Sequence, residues 1–319
     1  MVAASVDQTT PWCVVTADAD GPECKSVTAA GVQWLPLPFC RLGGAATLLQ
    51  TALCRARLIA PAARIMVTVA EPQRGRWRDI LWYVRPENRF ISDGPGWSAQ
   101  SSVAAVLAVA TSSPSSPVAI LPATCYVTDE RALIAGLRRA VAALPAIPDR
   151  VITLGITGAD TEVDEDYLVP ASQDGRAAIA IAATARRPVP WVARHLLERG
   201  ALVASGIYVG YASVLGSLLK AHWNGAALAV ARRVLESRGP GAENRVPCAV
   251  STSTRFPPRT PWGQLPWMSL RAVTVPECGW SGLRTARAVD RIARHNARAT
   301  KYSDLMRLPL SSSAEQALL

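Results

Sequence analysis

The sequence predicts an α/β fold whose mixed, mostly parallel sheet is covered by helices on both faces. Three observations carry that expectation. Uncharged apolar runs of strand length recur at residues 13–17 (CVVTA), 117–122 (PVAILP) and 151–156 (VITLGI). Segments with helical spacing lie between them. Half of the 319 residues are hydrophobic and only 18% are charged, which excludes a disordered chain and supplies a full core. Strands that are apolar throughout, not alternately, belong to a sheet buried on both sides.

In chain order, residues 1–11 read as a tail. The strand at 13–17 leads into a polar, glycine-containing segment (DADGPECKS). Apolar spacing at 47–59 predicts a helix with Thr47 as its N-cap. Residues 64–70 (RIMVTVA) predict a buried strand, 101–110 a helix of small residues, and 117–122 a second buried strand. A helix is expected at 129–144, opened by Asp129 and Glu130, which suit the positive end of its dipole. Beyond the strand at 151–156 the pattern is less regular. It predicts a strand at 177–183, a helix at 189–199, a strand at 206–209, and a helix at 215–234 interrupted near Asn224 and Gly225. Residues 239–266 read as loop, followed by a strand at 270–276 and a last helix at 283–299. The uncharged stretch 201–219 is long enough to cross a membrane. Its three glycines and three serines read better as strand, turn and helix, so no transmembrane span is expected.

The formal net charge is +10, and only three of the 34 basic residues are lysines (Lys25, Lys220, Lys301). That excess favours anionic partners without choosing among phosphates, nucleic acid and acidic lipid. The seven cysteines include no CxxC pair, and with three histidines there is no zinc pattern. The thiols are expected reduced and mostly buried in a cytoplasmic protein. The amino terminus lacks the basic and apolar regions of a signal peptide.

A series of landmarks resembles the sugar-1-phosphate nucleotidyltransferases, most closely the mannose-1-phosphate guanylyltransferases. They run in the family's order over residues 12–290. VVTA at 14–17 and the loop through Gly21 stand where the family has its strand and glycine-rich nucleotide loop. VQWLPL at 32–37 and TLLQTALCR at 47–55 resemble KQFLPL and SLLQ-T-x-x-R. ILPATCYVTDE at 120–130 resembles VLPADHxIxDE, TLGIT at 153–157 resembles TFGIxPT, and VASGIYV at 203–209 resembles WNSGMFL. VTVPECGWSGLRT at 273–285 resembles VVPADFGWSDLGS. The resemblance implies a GT-A-like Rossmannoid domain over 12–283, with a basic helix and tail at 284–319. It also implies that a sugar phosphate attacks the α-phosphorus of GTP and releases diphosphate, with Mg2+ as cofactor if the protein is active.

The residues at the family's functional positions are of other types. In the nucleotide loop, placed at Ala17, Asp18, Gly21 and Lys25, only Gly21 remains; Asp18, Ala19 and Asp20 replace glycine and small polar residues, and Glu23 stands at the family's arginine. Carboxylates repel a triphosphate. Val32 stands at the lysine, and the stretch that contacts the nucleotide aligns with residues 96–101, where only Gly96 is kept. The two metal aspartates correspond to Thr124 and Gly282. In the sugar-phosphate pocket the resemblance offers Glu162, Arg187, Ser205 and Gly206, with Ala204 and Arg186 at the family's asparagine and glutamate. Retained residues are mainly those that shape the fold, and fold does not imply function.

Other candidates each have a plain structural explanation. Asp18, Asp20 and Glu23 offer oxygen ligands to a relocated metal but read better as a solvated acidic loop. Lys25 offers a replacement cation but reads as a surface lysine. Asp164, Glu165 and Asp166 read as a solvated run. Cys125 follows a buried strand with no histidine nearby, so it reads as a buried thiol and not a nucleophile. His195, His222 and His295 read as surface residues. Arg284, Arg287, Arg291, Arg294, Arg298 and Lys301 are spaced 3, 4, 3, 4, 3 and share a helical face, a possible anion stripe. Three readings follow: a nucleotidyltransferase; a non-catalytic homologue that binds a nucleotide or sugar phosphate, as a homo-oligomer or beside an active relative; and a basic nucleic-acid or membrane-surface binder.

Overall fold

The computed structural model describes residues 9–17, 23–28, 31–42, 44–94, 98–158, 165–171, 177–222, 225–247 and 261–307. The first half contains β1 (Trp12–Thr16), the hairpin β2 (Glu23–Thr28) and β3 (Gly31–Pro36), α1 (Leu48–Arg57), β4 (Ile65–Ala70), the single turn α2 (Arg74–Trp77) and β5 (Arg89–Ser92). Then come α3 (Ser98–Ser112), β6 (Pro117–Pro122), α4 (Glu130–Ala143) and β7 (Val151–Ile156). The second half adds β8 (Asp166–Pro170), β9 (Ile179–Arg186), α5 (Pro190–Glu198), β10 (Leu202–Tyr211), α6 (Ala212–His222), α7 (Gly225–Glu236), β11 (Asn244–Val246), β12 (Leu270–Val275) and α8 (Ala286–Arg307).

Ten strands form one sheet in the order β11-β5-β4-β1-β6-β10-β7-β12-β9-β8. The strands from β11 to β6 are parallel to one another. β10 then runs antiparallel to β6, β7 and β8, and β9 antiparallel to β12 and β8. Only β7 and β12 are parallel in this half. The sheet is therefore mixed, not mostly parallel as the sequence suggests. The reason is that β9 and β10, each a long return strand, enter the second half against their neighbours. β2 and β3 pair antiparallel as a separate two-stranded sheet.

Both faces of the sheet are covered. Cys13 and Val15 of β1, with Val67, Leu121 and Ile152, pack against Leu49 and Leu53 of α1 and Leu133 and Leu137 of α4. The alternate residues Val14, Met66, Val118 and Ile120 pack against Val103 and Val106 of α3 and Leu215 of α6. This is why β4 and β7 are buried at every position and carry no charge. Thr47 caps α1: its Oγ1 accepts from the Gln50 amide at 3.2 Å, and Gln50 Oε1 accepts from the Thr47 amide at 2.8 Å. Asp129 caps α4 by accepting from the amides of Arg131 and Ala132. α8 packs through Val289 and Ile292 on a small cluster of Leu37, Cys40, Leu42, Leu48 and Leu283.

Cys40 is disulfide-bonded, which corrects the expectation of uniformly reduced thiols. Cys13, Cys54, Cys125 and Cys278 are free. Among the described residues no helix is long and apolar enough to cross a membrane. Residues 201–219 instead form most of β10 and α6.

Candidate functional site

The carboxyl ends of β1 and β6 lie side by side. The Ala17 amide donates to the Thr68 carbonyl at 3.0 Å, and the Ala123 amide donates to the Thr16 carbonyl at 2.9 Å. Beyond β6 the chain is stitched to the turn after β12. Tyr126 and Ser281 exchange both backbone hydrogen bonds at 2.9 Å, and the amides of Thr128 and Asp129 donate to the Cys278 carbonyl. That turn needs Gly279. Its φ is +63°, and a Cβ there would stand 2.7 Å from Thr128 Cβ. The first strand, the PVAILP strand and the GWS turn thus meet at one edge.

Two ion pairs flank this edge. Arg55 of α1 is buried and grips Glu130 with two of its three guanidinium nitrogens, Nε to Oε2 at 2.7 Å and Nη2 to Oε1 at 2.6 Å. Its Nη1 donates to Cys125 Sγ at 3.2 Å. Burial pulls the Arg55 pKa down, but Cys125 and Glu130 more than reverse this and hold it above the ordinary arginine value. The second pair is Arg284 with Glu165, Nε to Oε2 at 3.1 Å, with Arg284 Nη1 at 3.7 Å from Asp166 Oδ2. The Glu165 side chain is 4% exposed. It is not the solvated residue that its acidic run suggests, because Arg284 neutralises it and Gly282 leaves it room. A Cβ on Gly282 would stand 2.8 Å from its carboxyl carbon.

Thr124 is half-buried and Gly282 lies against Glu165. Ala17 is fully buried. Cys125 is a buried thiol whose pKa is pushed up by burial against the opposing effect of Arg55, so it is no thiolate nucleophile at neutral pH. Ser205 is buried and its Oγ accepts from the Ile207 amide at 3.1 Å. It stands with Gly206 where the β10 register shifts between Ala204 and Tyr208. Arg187 is exposed, with φ of +42°, and Arg186 Nη2 donates to the Gly263 carbonyl. Glu23 is exposed at the start of β2, paired with Pro36 of β3, so part of the expected nucleotide loop is a hairpin strand. Lys25 lies in β2 and Val32 in β3. Asp18, Asp20, Gly21, Gly96, Glu162 and Asp164 lie outside the described residues.

The basic stripe is shorter than its spacing suggests. Arg284 precedes α8 and turns to Glu165, because the helix begins only at Ala286. Arg287, Arg291 and Arg294 are exposed on α8, which also carries Arg298 and Lys301. His195, His222 and His295 are exposed.

Tyr208 of β10 is absent from the candidates that the sequence offers. It is buried, and its pKa is pushed up to about 12 by burial; Arg284 opposes that shift, Asp166 adds to it and Arg186 opposes it. These charges therefore converge on one tyrosine. The described edge does not fit a divalent metal. The positions to which the resemblance assigns metal ligands carry Thr124 and Gly282, the buried carboxylate of Glu165 is paired to a guanidinium, and no group of three or more His, Cys, Asp or Glu residues is placed to hold an ion among the described residues. A separate cavity of about 820 Å³ opens at the opposite, amino edge, lined by Pro11, Ile59, Pro117, Val141 and Tyr211. It is remote from these residues.

Three solved structures share this arrangement of elements. Mannose-1-phosphate geranyltransferase from Thermus thermophilus is 18% identical over 89% of this chain and 79% of that chain, with a TM-score of 0.66. Mannose-6-phosphate isomerase from Helicobacter pylori is 14% identical over 84% of this chain and 98% of that chain, with a TM-score of 0.60. A CMP:2-keto-3-deoxy-manno-octonic acid synthetase complexed with CTP is 14% identical over 91% of this chain and 99% of that chain, with a TM-score of 0.52. The chain has their fold. No protein-family profile and no curated protein matches the sequence. Transferase, isomerase and synthetase share the architecture, so the chemistry must be argued from the site.

Proposed function

We propose that the protein binds a nucleotide or a sugar phosphate at the carboxyl edge of β1 and β6 and does not perform magnesium-dependent nucleotidyl transfer. On this reading it is a non-catalytic relative of the mannose-1-phosphate guanylyltransferases, acting as a binding subunit or beside an active homologue. One observation carries the reading: the edge formed by β1, β6 and the GWS turn has Thr124 and Gly282 where the resemblance implies carboxylates, while the buried carboxylate of Glu165 is bound by Arg284. Transfer of a nucleotidyl group depends on charge neutralisation around the phosphates, and losing one oriented donor costs about 10²–10³ in rate. The exposed Arg186 and Arg187 remain to meet an anion.

The test has two arms. With GTP, mannose 1-phosphate and Mg2+, diphosphate release is expected to stay at background. In a thermal-shift series, GTP, GDP-mannose or mannose 1-phosphate is expected to raise the melting temperature. Turnover overturns the non-catalytic reading, and a series with no shift overturns ligand binding.

A second reading rests on the exposed Arg287, Arg291 and Arg294 of α8. It requires salt-dependent RNA or vesicle binding that is lost when the three are replaced together.

A further inference from the structure

Two pairs of residues far apart in sequence meet beside the GWS turn: Glu165 with Asp166, and Gly282 with Arg284. A carboxylate as enclosed as that of Glu165 requires a cation or a set of donors. For two neighbouring carboxylates, a divalent ion is one natural supplier. Here the supplier is part of the chain. Arg284 places Nε on Glu165 and Nη1 toward Asp166, and so spans both carboxylates. Gly282 is the second half of the device. A side chain at 282 would overlap the Glu165 carboxyl group, so the glycine lets this carboxylate reach the turn. Glu165 also raises the pKa of the Cys125 thiol, after burial and alongside Glu130, so its charge is felt on the β6 side of the same edge.

We propose that Arg284 is a resident cation that takes the place a divalent metal would need between Glu165 and Asp166, and thereby closes the site to such ions. The inference rests on and deepens the reading of a site that works without metal. It differs in what it predicts, because it concerns ion binding in the absence of any nucleotide.

The experiment is a Mn2+ titration of the full chain at neutral pH, read as loss of the free-ion electron paramagnetic resonance signal. The wild-type protein is expected to leave the signal unchanged up to about 1 mM Mn2+. Arg284→Ala takes this guanidinium away from both carboxylates and is expected to bind one Mn2+ at least tenfold more tightly. Adding Glu165→Gln to that variant is expected to abolish the gain. Arg284→Gln, closer in size, serves if Arg284→Ala fails to fold. Mn2+ bound by the wild-type chain and lost on Glu165→Gln overturns the proposal. So does a folded Arg284 variant with no gain. Either failure leaves the nucleotide reading to its own thermal-shift series.

Discussion

Arg55 and Arg284 both drive a guanidinium onto a carboxylate beside the same edge of the sheet, but they bury opposite ends of the pair. Arg55 is 4% exposed against 35% for Glu130, whereas Arg284 is 33% exposed against 4% for Glu165. The difference matters when a partner is lost. A guanidinium keeps its charge under all ordinary conditions, so a stranded Arg55 has no way to become neutral. A stranded carboxylate takes up a proton or recruits another cation. The first pair therefore reads as scaffold, locking α1 to the start of α4, and the second as a replaceable occupant of the site.

The largest expected effect follows directly. Glu130→Ala should cost on the order of 3 kcal/mol in a urea unfolding experiment, the lower end for breaking a buried pair because Glu130 is partly open. Arg284→Ala should cost clearly less, and equal losses would erase the distinction. Next, Gly279→Ala should cost about 2 kcal/mol, since the turn joins the loop before Glu130 to the segment before Arg284 at a positive φ. Thr47→Ala removes the reciprocal cap of the helix that carries Arg55 and should cost about 1 kcal/mol. A solvent-open network offers the mildest contrast. A hydrogen bond from Arg74 holds the Glu71 carboxyl below its ordinary value; for Glu243, burial pushes the value up but Arg74 and Arg89 bring it below. Depressed carboxylates stabilise the fold fully above the ordinary carboxylate pKa, and that contribution is lost as pH falls through the folded value. Melting temperature should thus drop below about pH 4.5 by less in Glu243→Gln than in the wild type. Parallel curves would remove this network from the acid response.

Much of the frame is readable because it is local. The strands at 117–122 and 151–156 announce themselves by unbroken apolarity, and Thr47 with Gln50 is a capping signature. The hairpin at 23–36 is not readable. ECKSVT and GVQWLP show no clean apolar alternation, and Ala29-Ala30 is no hairpin turn signal. β5 and β11 are too short to show a period. The direction of β10 is hidden because strand polarity depends on distant partners. The site is legible only as what it lacks. Thr124 and Gly282 visibly carry no carboxylate, but Glu165 and Arg284 lie 119 positions apart, and nothing local says that they meet. Tyr208 escapes notice for the same reason.

The late arrival of β10 has a consequence for synthesis. β6 and β7 follow each other closely in the chain, yet they are not neighbours in the sheet, because β10 is the plank between them. Until residue 211 has left the ribosome, the sheet β5-β4-β1-β6 ends in a raw apolar margin, Val118–Leu121, and β7 has neither of its neighbours, β10 and β12. A fragment ending before residue 202 should therefore collect in the pellet after expression, while the whole chain stays in the supernatant.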